Sequence, residues 1–397
     1  MTPEPLISVC IPVFNCEDYI EIAIKSVLKQ TYSRFELVIL DNASTDRTLQ
    51  IAGRFKDSRI RILQSDVNRG FAYNWNRCLT EAQGEFVKIL PADDLIAPDC
   101  LEIQVHELIE NSDLAVVCSA RSIIDLEGKV IGTRGMGKKR ITFDFAEATR
   151  IAIRRGTNPF GEPGAVLFRS NAMRIAGQFN TTHFYVVDLD FWLKLLQSGQ
   201  LRYLPEKLAS FRISPISAST VVKSSQAQDT ENWMKKIAAE NPGLVGASDL
   251  KKGIRSARIA QFARSIFYFL TFGVGKGKFN SLQFLRFIGA GLINTAVSYV
   301  LFSGFVWFGL YYVWAAILSS FASLIFNFST ISLMVFRERN PRKLFKFTIV
   351  YTFSIAMNIA GIHFVSGVLV NTYLSAAIVA GPVAILSYVF YSRFVFR

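Results

Sequence analysis

Acidic residues stand where apolar runs end. Asp41 closes Phe35–Leu40, and Asp93-Asp94 follow Glu85–Leu90 after Pro91-Ala92. Asp188 and Asp190 lie just before Phe191-Trp192-Leu193, and Pro12-Val13-Phe14-Asn15 ends the first apolar run. This set suits group transfer from a nucleoside-diphosphate donor. Such transfer needs a grip on base and ribose, a divalent cation against the diphosphate, and in some cases a general base for the acceptor. Asp41 can accept from a base N–H or ribose hydroxyls, and the two strand ends lie about 27 residues apart, which suits one β-α-β unit. The hard oxygens of Asp93 and Asp94 favour Mg²⁺ or Mn²⁺. Asp188 is the first choice of base, with Asp190 left open. Each position also has a bland reading: Asp41 as a helix cap, Asp93-Asp94 as a helix-starting turn, and one of Asp188 and Asp190 as a cap.

The elements that must position these residues follow from periodicity. Strands are predicted over Ile7–Phe14, Phe35–Leu40, Ile60–Leu63, Glu85–Leu90 and Ala165–Phe168. Helices are predicted over Glu17–Gln30, Ser44–Phe55 (capped by Ser44 or Thr45), Gly70–Ala82 and within Phe184–Gln200. Alternating strand and helix imply a doubly wound, mainly parallel sheet, whose ligands bind beyond the carboxyl ends of the strands. Gly128–Arg140 reads as a mobile basic loop and Pro215–Asp229 as a linker. The five cysteines, Cys10, Cys16, Cys78, Cys100 and Cys118, include no CxxC pair and read as reduced and structural.

The apolar content of 51% and net charge of +13 are unevenly spread. Residues 1–221 carry 26 basic and 26 acidic side chains, 222–280 carry 10 and 4, and 281–397 carry 8 and 1. The excess lies in and beside apolar segments, which points to an anionic membrane surface and away from nucleic acid. Asp249–Gly273 combines basic and apolar residues and suits a helix in the membrane interface; a basic helix on the soluble domain is the alternative. Four apolar stretches follow, at about 284–307, 311–336, 344–369 and 373–396, each long enough to cross a bilayer. The turns Phe308–Tyr312 and Val370–Tyr373 are uncharged, whereas Arg337–Lys346 holds five basic residues and one acid. Positive charge on that loop and at the chain end places them in the cytoplasm. The N-terminus lacks the form of a signal peptide, so the soluble domain is expected there too. Leu285-Arg286-Phe287 recurs as Phe345-Lys346-Phe347, and Val335-Phe336-Arg337 as Val395-Phe396-Arg397, both at an offset of 60. The membrane part thus reads as a helical hairpin repeated in parallel. Asn294, Asn327 and Asn358 are expected to pack helices, with a lipid groove as the alternative.

Several segments carry a resemblance. SVCIPVFNCEDYI, SVLKQTYSRFELVILDNASTDRT, NRGFAYNWNRCLTEAQGEFVKILPADDLIAPDCLE, AVLFRSNAMRIAGQF, VVDLDFWLKLL and YLPEKLASFRIS, in that order, resemble a family 2 glycosyltransferase of GT-A fold. The resemblance implies that Pro12, Phe14 and Asp41 contact the nucleotide, that Arg69 lies near the diphosphate or base, that Asp94 with Asp93 holds the metal, and that Asp188 is the base. Asn15 and Asp93, at the same strand ends, are further candidates for binding the nucleotide sugar. The chain departs from the family pattern at Pro91, where the first acid of the DxD motif stands, at Val187, and at Ser214, where a histidine is usual. Arg212 remains the candidate at that last element. LRFIGAGLINTAVSY, IFNFSTISLMVFR and SYVFYSRFVFR resemble the GtrA-like four-helix proteins.

The expected architecture is a Rossmann-like α/β GT-A domain over 1–221, a linker with amphipathic helices over 222–282, and an all-α GtrA-like transmembrane domain over 283–397. The resemblance implies a membrane enzyme that moves a sugar from a UDP- or GDP-linked donor to a polyprenyl phosphate. The charge split makes Lys251, Arg255, Arg286 and Lys346, together with Arg212, candidates for the acceptor phosphate. Extension of a lipid-linked glycan, and a non-catalytic scaffold or lipid transporter, are the alternatives. Assembly of the membrane domain with copies of itself is a further expectation.

Overall fold

The first apolar run forms β1 (Ile7–Val13), buried at every position, in a computed structural model that describes residues 4–214, 225–268, 281–338, 340–366 and 372–396. The chain divides into two units, Met1–Ser265 and Ile266–Arg397. In the first, the predicted alternation is present: α1 (Ile20–Leu28), β2 (Phe35–Asp41), α2 (Thr48–Ala52), β3 (Ile60–Gln64), α3 (Phe71–Glu81) and β4 (Phe86–Ile89). β1 pairs in parallel with both β2 and β4, and β2 with β3. Chain order reverses on either side of β1, which puts a crevice beyond the carboxyl ends of β1 and β2.

The sheet then becomes mixed. After β5 (Leu95–Ile96) and α4 (Cys100–Glu110) come β6 (Leu114–Ile124), β7 (Val130–Arg134), β8 (Ile141–Phe143), α5 (Phe145–Arg155), β9 (Val166–Arg169), α6 (Ser170–Ala176), α7 (Val187–Leu195) and β10 (Gln200–Arg212). β9 runs antiparallel between β4 and β6, and β10 is parallel to β6. The basic stretch read as a loop instead supplies β7, an antiparallel partner of β6, because Val130, Ile131 and Thr133 are β-branched and favour an extended strand. Two apolar clusters fill the faces of the sheet. The five cysteines are free, and four of them are buried.

The helix predicted from Ser44 begins later, at Thr48, with no side-chain cap. Ser44 and Thr45 serve another loop: Ser44 Oγ accepts from the Asn15 N–H at 3.0 Å, and Asn15 Oδ1 accepts from the Thr45 N–H at 2.8 Å.

Beyond β10 the linker reading needs correction. Residues 215–224 lie outside the described residues, but Gln226–Asp229 open a helix, α8 (Gln226–Glu240). α8 buries Trp233 and Met234 completely. The next helix, α9 (Ala247–Tyr268), docks on the same unit: Ala257 is 1% exposed and Leu250 and Ile254 pack on its core. Arg154 pairs with Asp249 at 2.7 Å and Arg258 with Glu231 at 2.9 Å. Its Lys251, Lys252, Arg255, Ile259 and Phe262 face outward. Glycines permit the approach. Gly156, which ends α5 at φ 61°, would place a Cβ 2.3 Å from the Gly253 carbonyl oxygen, and a Cβ on Gly253 would lie 2.1 Å from that of Ile153. Both contacts are with backbone, so Gly253→Ala should cost about 2–3 kcal/mol through overpacking. A thermal-shift measurement should show roughly 5–10 °C of destabilisation; an unchanged melting point would mean α9 docks otherwise.

The second unit holds α10 (Ser281–Trp307), α11 (Tyr312–Thr330), α12 (Leu344–Ser366) and α13 (Thr372–Phe390). Among the described residues, four segments are long and apolar enough to cross a membrane: Arg286–Trp307, Ile317–Phe336, Pro341–Val365 and Ile378–Val395. Residues 370 and 371 of the second predicted turn lie outside the described residues. The repeat is visible in three dimensions. α11 and α13 each end in a π-helical stretch, Ile331–Phe336 and Tyr391–Val395. One apolar cluster contains Phe287 with Phe347, Ala290 with Val350, Ile331 with Tyr391, and Val335 with Val395, each pair 60 residues apart. Asn294 Oδ1 accepts from Thr330 Oγ1 at 2.7 Å, so this asparagine joins two helices.

Candidate active site

The crevice beyond β1 and β2 is built by side chains that lock two loops together. Asn15 (φ 48°) and Ala43 (φ 63°) both adopt the left-handed conformation, which asparagine tolerates and alanine resists. Such strain persists where surrounding contacts fix it and is concentrated at functional loops. Asn42 supplies such contacts: its Nδ2 donates to Asn68 Oδ1 at 2.8 Å, and its Oδ1 accepts from the Arg69 N–H at 3.2 Å. The Arg69 guanidinium lies 4.9 Å from the centre of the Tyr73 ring. Asp41 is fully buried; Oδ2 accepts from the Ser44 N–H at 3.1 Å, while Oδ1 has no partner. An orphaned buried carboxylate oxygen is costly unless a ligand donor completes it. Pro12 is buried beneath this crevice and Phe14 is 45% exposed beside it. A flat heterocycle with an N–H group matches that combination.

Asp93 and Asp94 turn out of β4 and meet the end of β10. Asp94 is 2% exposed, and its Oδ1 accepts from the backbone N–H of Arg212 at 2.8 Å. Arg212 is itself buried. Its Nε donates to the Asp93 carbonyl at 2.9 Å, and Nη1 to the carbonyls of Asp125 and Leu126 at 2.7 and 3.1 Å. Its guanidinium stacks 4.5 Å from the Tyr19 ring, and Nη2 has no partner. Burial pushes both carboxyl groups up, and at Asp94 the neighbouring Asp93 charge adds to it. A divalent cation would relieve both effects, so the donor set fits one. Among the described residues no three acids, histidines or cysteines gather as a metal group. The protein would therefore offer two carboxylates, and a bound diphosphate and water would supply the rest, a division that suits Mg²⁺ or Mn²⁺.

Asp188 stands in the first turn of α7. Oδ2 accepts from Asn158 Nδ2 at 2.9 Å and Oδ1 from the Leu189 N–H at 2.7 Å. Burial, and then the charge of Glu162, push its carboxyl up to about 7. A carboxylate poised there can exchange a proton near neutral pH. Glu162, Asn158 and Arg121 went unnoticed in the sequence. Arg121 is buried and pairs with Glu162 at 2.5 Å, and Arg134 reaches Glu162 at 3.7 Å. These cations hold the Glu162 carboxyl below its usual value despite burial. The segment Asn158-Pro159-Phe160-Gly161-Glu162-Pro163-Gly164 was the available signal: a Gly- and Pro-rich connection that holds a charge.

The remaining candidates lie elsewhere. Asp190 points into the core, where it accepts from Trp233 Nε1 at 3.0 Å and pairs with Lys194 at 2.7 Å. It fastens α8 to α7, so the position left open in the sequence is structural. Lys251 and Arg255 lie exposed on α9. Arg286 and Lys346 belong to the second unit, the former half-buried and the latter exposed.

Comparison with known proteins agrees with this geometry. Residues 8–175 match Glycosyl transferase family 2, and residues 286–396 match the GtrA/DPMS transmembrane domain. A Bacillus subtilis protein named as the glycosyltransferase EpsE is 32% identical over 218 residues, 53% of this chain and 74% of the relative. TuaG of Bacillus subtilis, named for teichuronic acid biosynthesis, is 31% identical over 220 residues, 55% of this chain and 82% of the relative. The structure of S. aureus TarS 1-349 in complex with UDP-GlcNAc shares the fold at 20% identity and a TM-score of 0.50, covering 67% of this chain and 76% of TarS. Sequence match, sheet order and strand-end acids converge, and the chain belongs to glycosyl transferase family 2 and carries a GtrA/DPMS transmembrane domain.

Proposed function

We propose that this chain transfers a sugar from a UDP- or GDP-linked donor to a polyprenyl phosphate at the cytoplasmic face of the plasma membrane, with Mg²⁺ or Mn²⁺ bound at Asp93 and Asp94. One observation carries the reading: a glycosyl transferase family 2 domain is joined on one chain to a GtrA/DPMS transmembrane domain. The orphaned Asp41 oxygen takes the base or ribose, with Pro12, Phe14, Asn15 and Arg69 around it. When bound, the cation neutralises the departing diphosphate. Arg212 holds Asp94 in place and keeps its Nη2 for the phosphates. The acceptor phosphate oxygen attacks the anomeric carbon as the nucleoside diphosphate leaves. A phosphate is already ionised at neutral pH, so Asp188 orients the acceptor more than it takes a proton. The outward Lys251 and Arg255 of α9 suit the anionic membrane surface.

The second reading, extension of a lipid-linked glycan, is favoured by DNASTDRT and VVDLDFW and by the relative named for teichuronic acid biosynthesis. Full-length protein in detergent, given radiolabelled UDP- and GDP-sugars, separates the two. Polyprenyl phosphate alone should yield a labelled, organic-extractable product. Label appearing only when a preloaded lipid-linked sugar is supplied would favour extension.

A further inference from the structure

On the reading above, the transferred sugar lies between the diphosphate at Asp93-Asp94 and the acceptor at Asp188, because its anomeric carbon leaves one oxygen for another. On α7 the neighbours of Asp188 offer that sugar no polar group: Val187 and Leu189 are buried in the apolar core. The connection formed by residues 158–164 does span the space. At one end Asn158 Nδ2 donates to Asp188 Oδ2 at 2.9 Å. At the other, a Cβ on Gly164 would stand 4.0 Å from Asp94 Cβ and 3.3 Å from Leu90 Cδ1. Glu162 belongs to the same connection, and its charge acts on both Asp94 and Asp188.

Buried polar groups hold this connection from beneath. Lys88 of β4 is fully buried, and its Nζ donates to the carbonyls of Gly164 and Val166 at 2.9 and 3.0 Å. Gln104 of α4 and Ser119 of β6, also fully buried, donate to the carbonyl between them, that of Ala165, at 2.8 and 3.4 Å. A buried ammonium is costly unless its hydrogen bonds are made, so Lys88 ties the turn firmly to the sheet. Gly161 takes φ 116°, and a Cβ there would lie 3.1 Å from Ala165 Cβ and 3.4 Å from Arg121 Nη1. Arg121 therefore packs directly on the turn. Rigid support of this kind is what a binding residue needs.

The Glu162 carboxylate has acceptor capacity left. Oε2 accepts from Arg121 Nε at 2.5 Å. Oε1 meets Arg121 Nη2 at 3.4 Å and Arg134 Nη1 at 3.7 Å, both longer than a charge-assisted hydrogen bond of about 2.7–2.9 Å. The side chain is 18% exposed, so a ligand can reach it. Arg121 and Arg134 stand opposite each other across β6 and β7 and share this carboxylate, which keeps it ionised and acceptor-only. Asp188 can exchange a proton near neutral pH; Glu162 is suited to binding instead. We propose that Glu162 determines sugar specificity, its Oε1 accepting hydrogen bonds from hydroxyl groups of the donor's sugar. The inference rests on the nucleotide-sugar reading above and deepens it by naming the residue that recognises the sugar.

The competing role for Glu162 is to balance Arg121 and nothing more. Full-length protein in detergent with Mn²⁺, titrated by calorimetry, separates the two. The probes are UDP-glucose, UDP-N-acetylglucosamine and GDP-mannose, each compared with its own nucleotide, UDP or GDP. For the donor that the parent binds, Glu162→Gln should lower the ratio of donor affinity to nucleotide affinity at least tenfold. Affinity for the nucleotide alone should stay within threefold, which also shows that the variant is folded. Glu162→Asp keeps the charge beside Arg121 but withdraws the carboxylate by one methylene, and it should lower the ratio as well. A ratio unchanged in Glu162→Gln, or donor and nucleotide weakened alike, overturns the proposal. So does a variant that shifts the pH profile of transfer while leaving the ratio alone, since Glu162 would then act only through Asp188. Transfer to polyprenyl phosphate by the parent, measured in parallel, tests the reading beneath. A sugar-specific loss of binding in a protein that makes no labelled lipid would sink the polyprenyl-phosphate reading and leave Glu162 standing. Transfer by the parent with an unchanged ratio would do the reverse.

Discussion

Asp94→Asn is expected to lower the rate of sugar transfer by roughly 10³-fold, about 4 kcal/mol of transition-state stabilisation at 1.36 kcal/mol per tenfold. The substitution is chosen for what it preserves. An asparagine Oδ1 can still accept from the Arg212 N–H, which Asp94 meets at 2.8 Å, so the junction of β4 and β10 stays closed. What it removes is one of two buried carboxylates that together can hold a divalent cation. Burial and the adjacent Asp93 raise the Asp94 carboxyl, so the ionised pair is unstable without a counter-charge. Two measurements check this. Initial rates at saturating donor and rising Mn²⁺ should stay low in the variant. In the parent, Mn²⁺ with UDP should raise the melting point by an amount set by ligand linkage, about 2.7 kcal/mol at one hundred times the dissociation constant. The variant should lose most of that gain. Transfer within tenfold of the parent would show that Asp94 does not hold the cation.

Asp188→Asn is expected to reduce transfer about 10²-fold at pH 8 and to remove the acidic limb of the pH profile. In the parent the carboxyl titrates near 7, so activity should rise through that pH and level off above it. The stability effect has the opposite sign. The folded-state value is raised above the ordinary 3.8, so this group's contribution is fully present below pH 3.8 and is lost as pH rises towards 7. Parent protein should therefore lose stability from this group between pH 4 and 7, and the variant should lack that slope. A general base for a hydroxyl acceptor would lose nearer 10⁴-fold. The same variant thus discriminates phosphate from hydroxyl acceptors, and an unchanged acidic limb would remove Asp188 from the site altogether.

Asp188 and Asp190 show where reading the sequence stops. At about 100° per residue, positions two apart on a helix point to different sides. One must face the cleft and the other the core, but the sequence of α7 is the same whichever is which. Trp233 decides it: this residue, 43 positions later, arrives on α8 and donates its indole N–H to Asp190. Arg212 is a similar case, since it reaches Asp94 across 118 residues because β5, which starts at the next residue, pairs antiparallel with β10. Glu162 and Asn158 reach Asp188 because β9 runs antiparallel beside β4, placing the preceding loop over the strand ends.

By itself the sequence determined what local periodicity and composition control. The strands that end at Asp41 and before Asp93-Asp94, the four membrane spans and the 60-residue repeat were all legible, because apolar spacing and the length needed to cross a bilayer are properties of short segments. Tertiary structure decided what distant segments bring. It placed α9 on the first unit through Gly156 and Gly253, where the basic sequence alone had favoured the membrane interface. It opened a cavity in the first hairpin lined by Arg286 and Arg337, the latter in a left-handed turn. Charge and hydropathy count residues along the chain; only packing fixes which of them share a space and which of their polar groups stay without a partner.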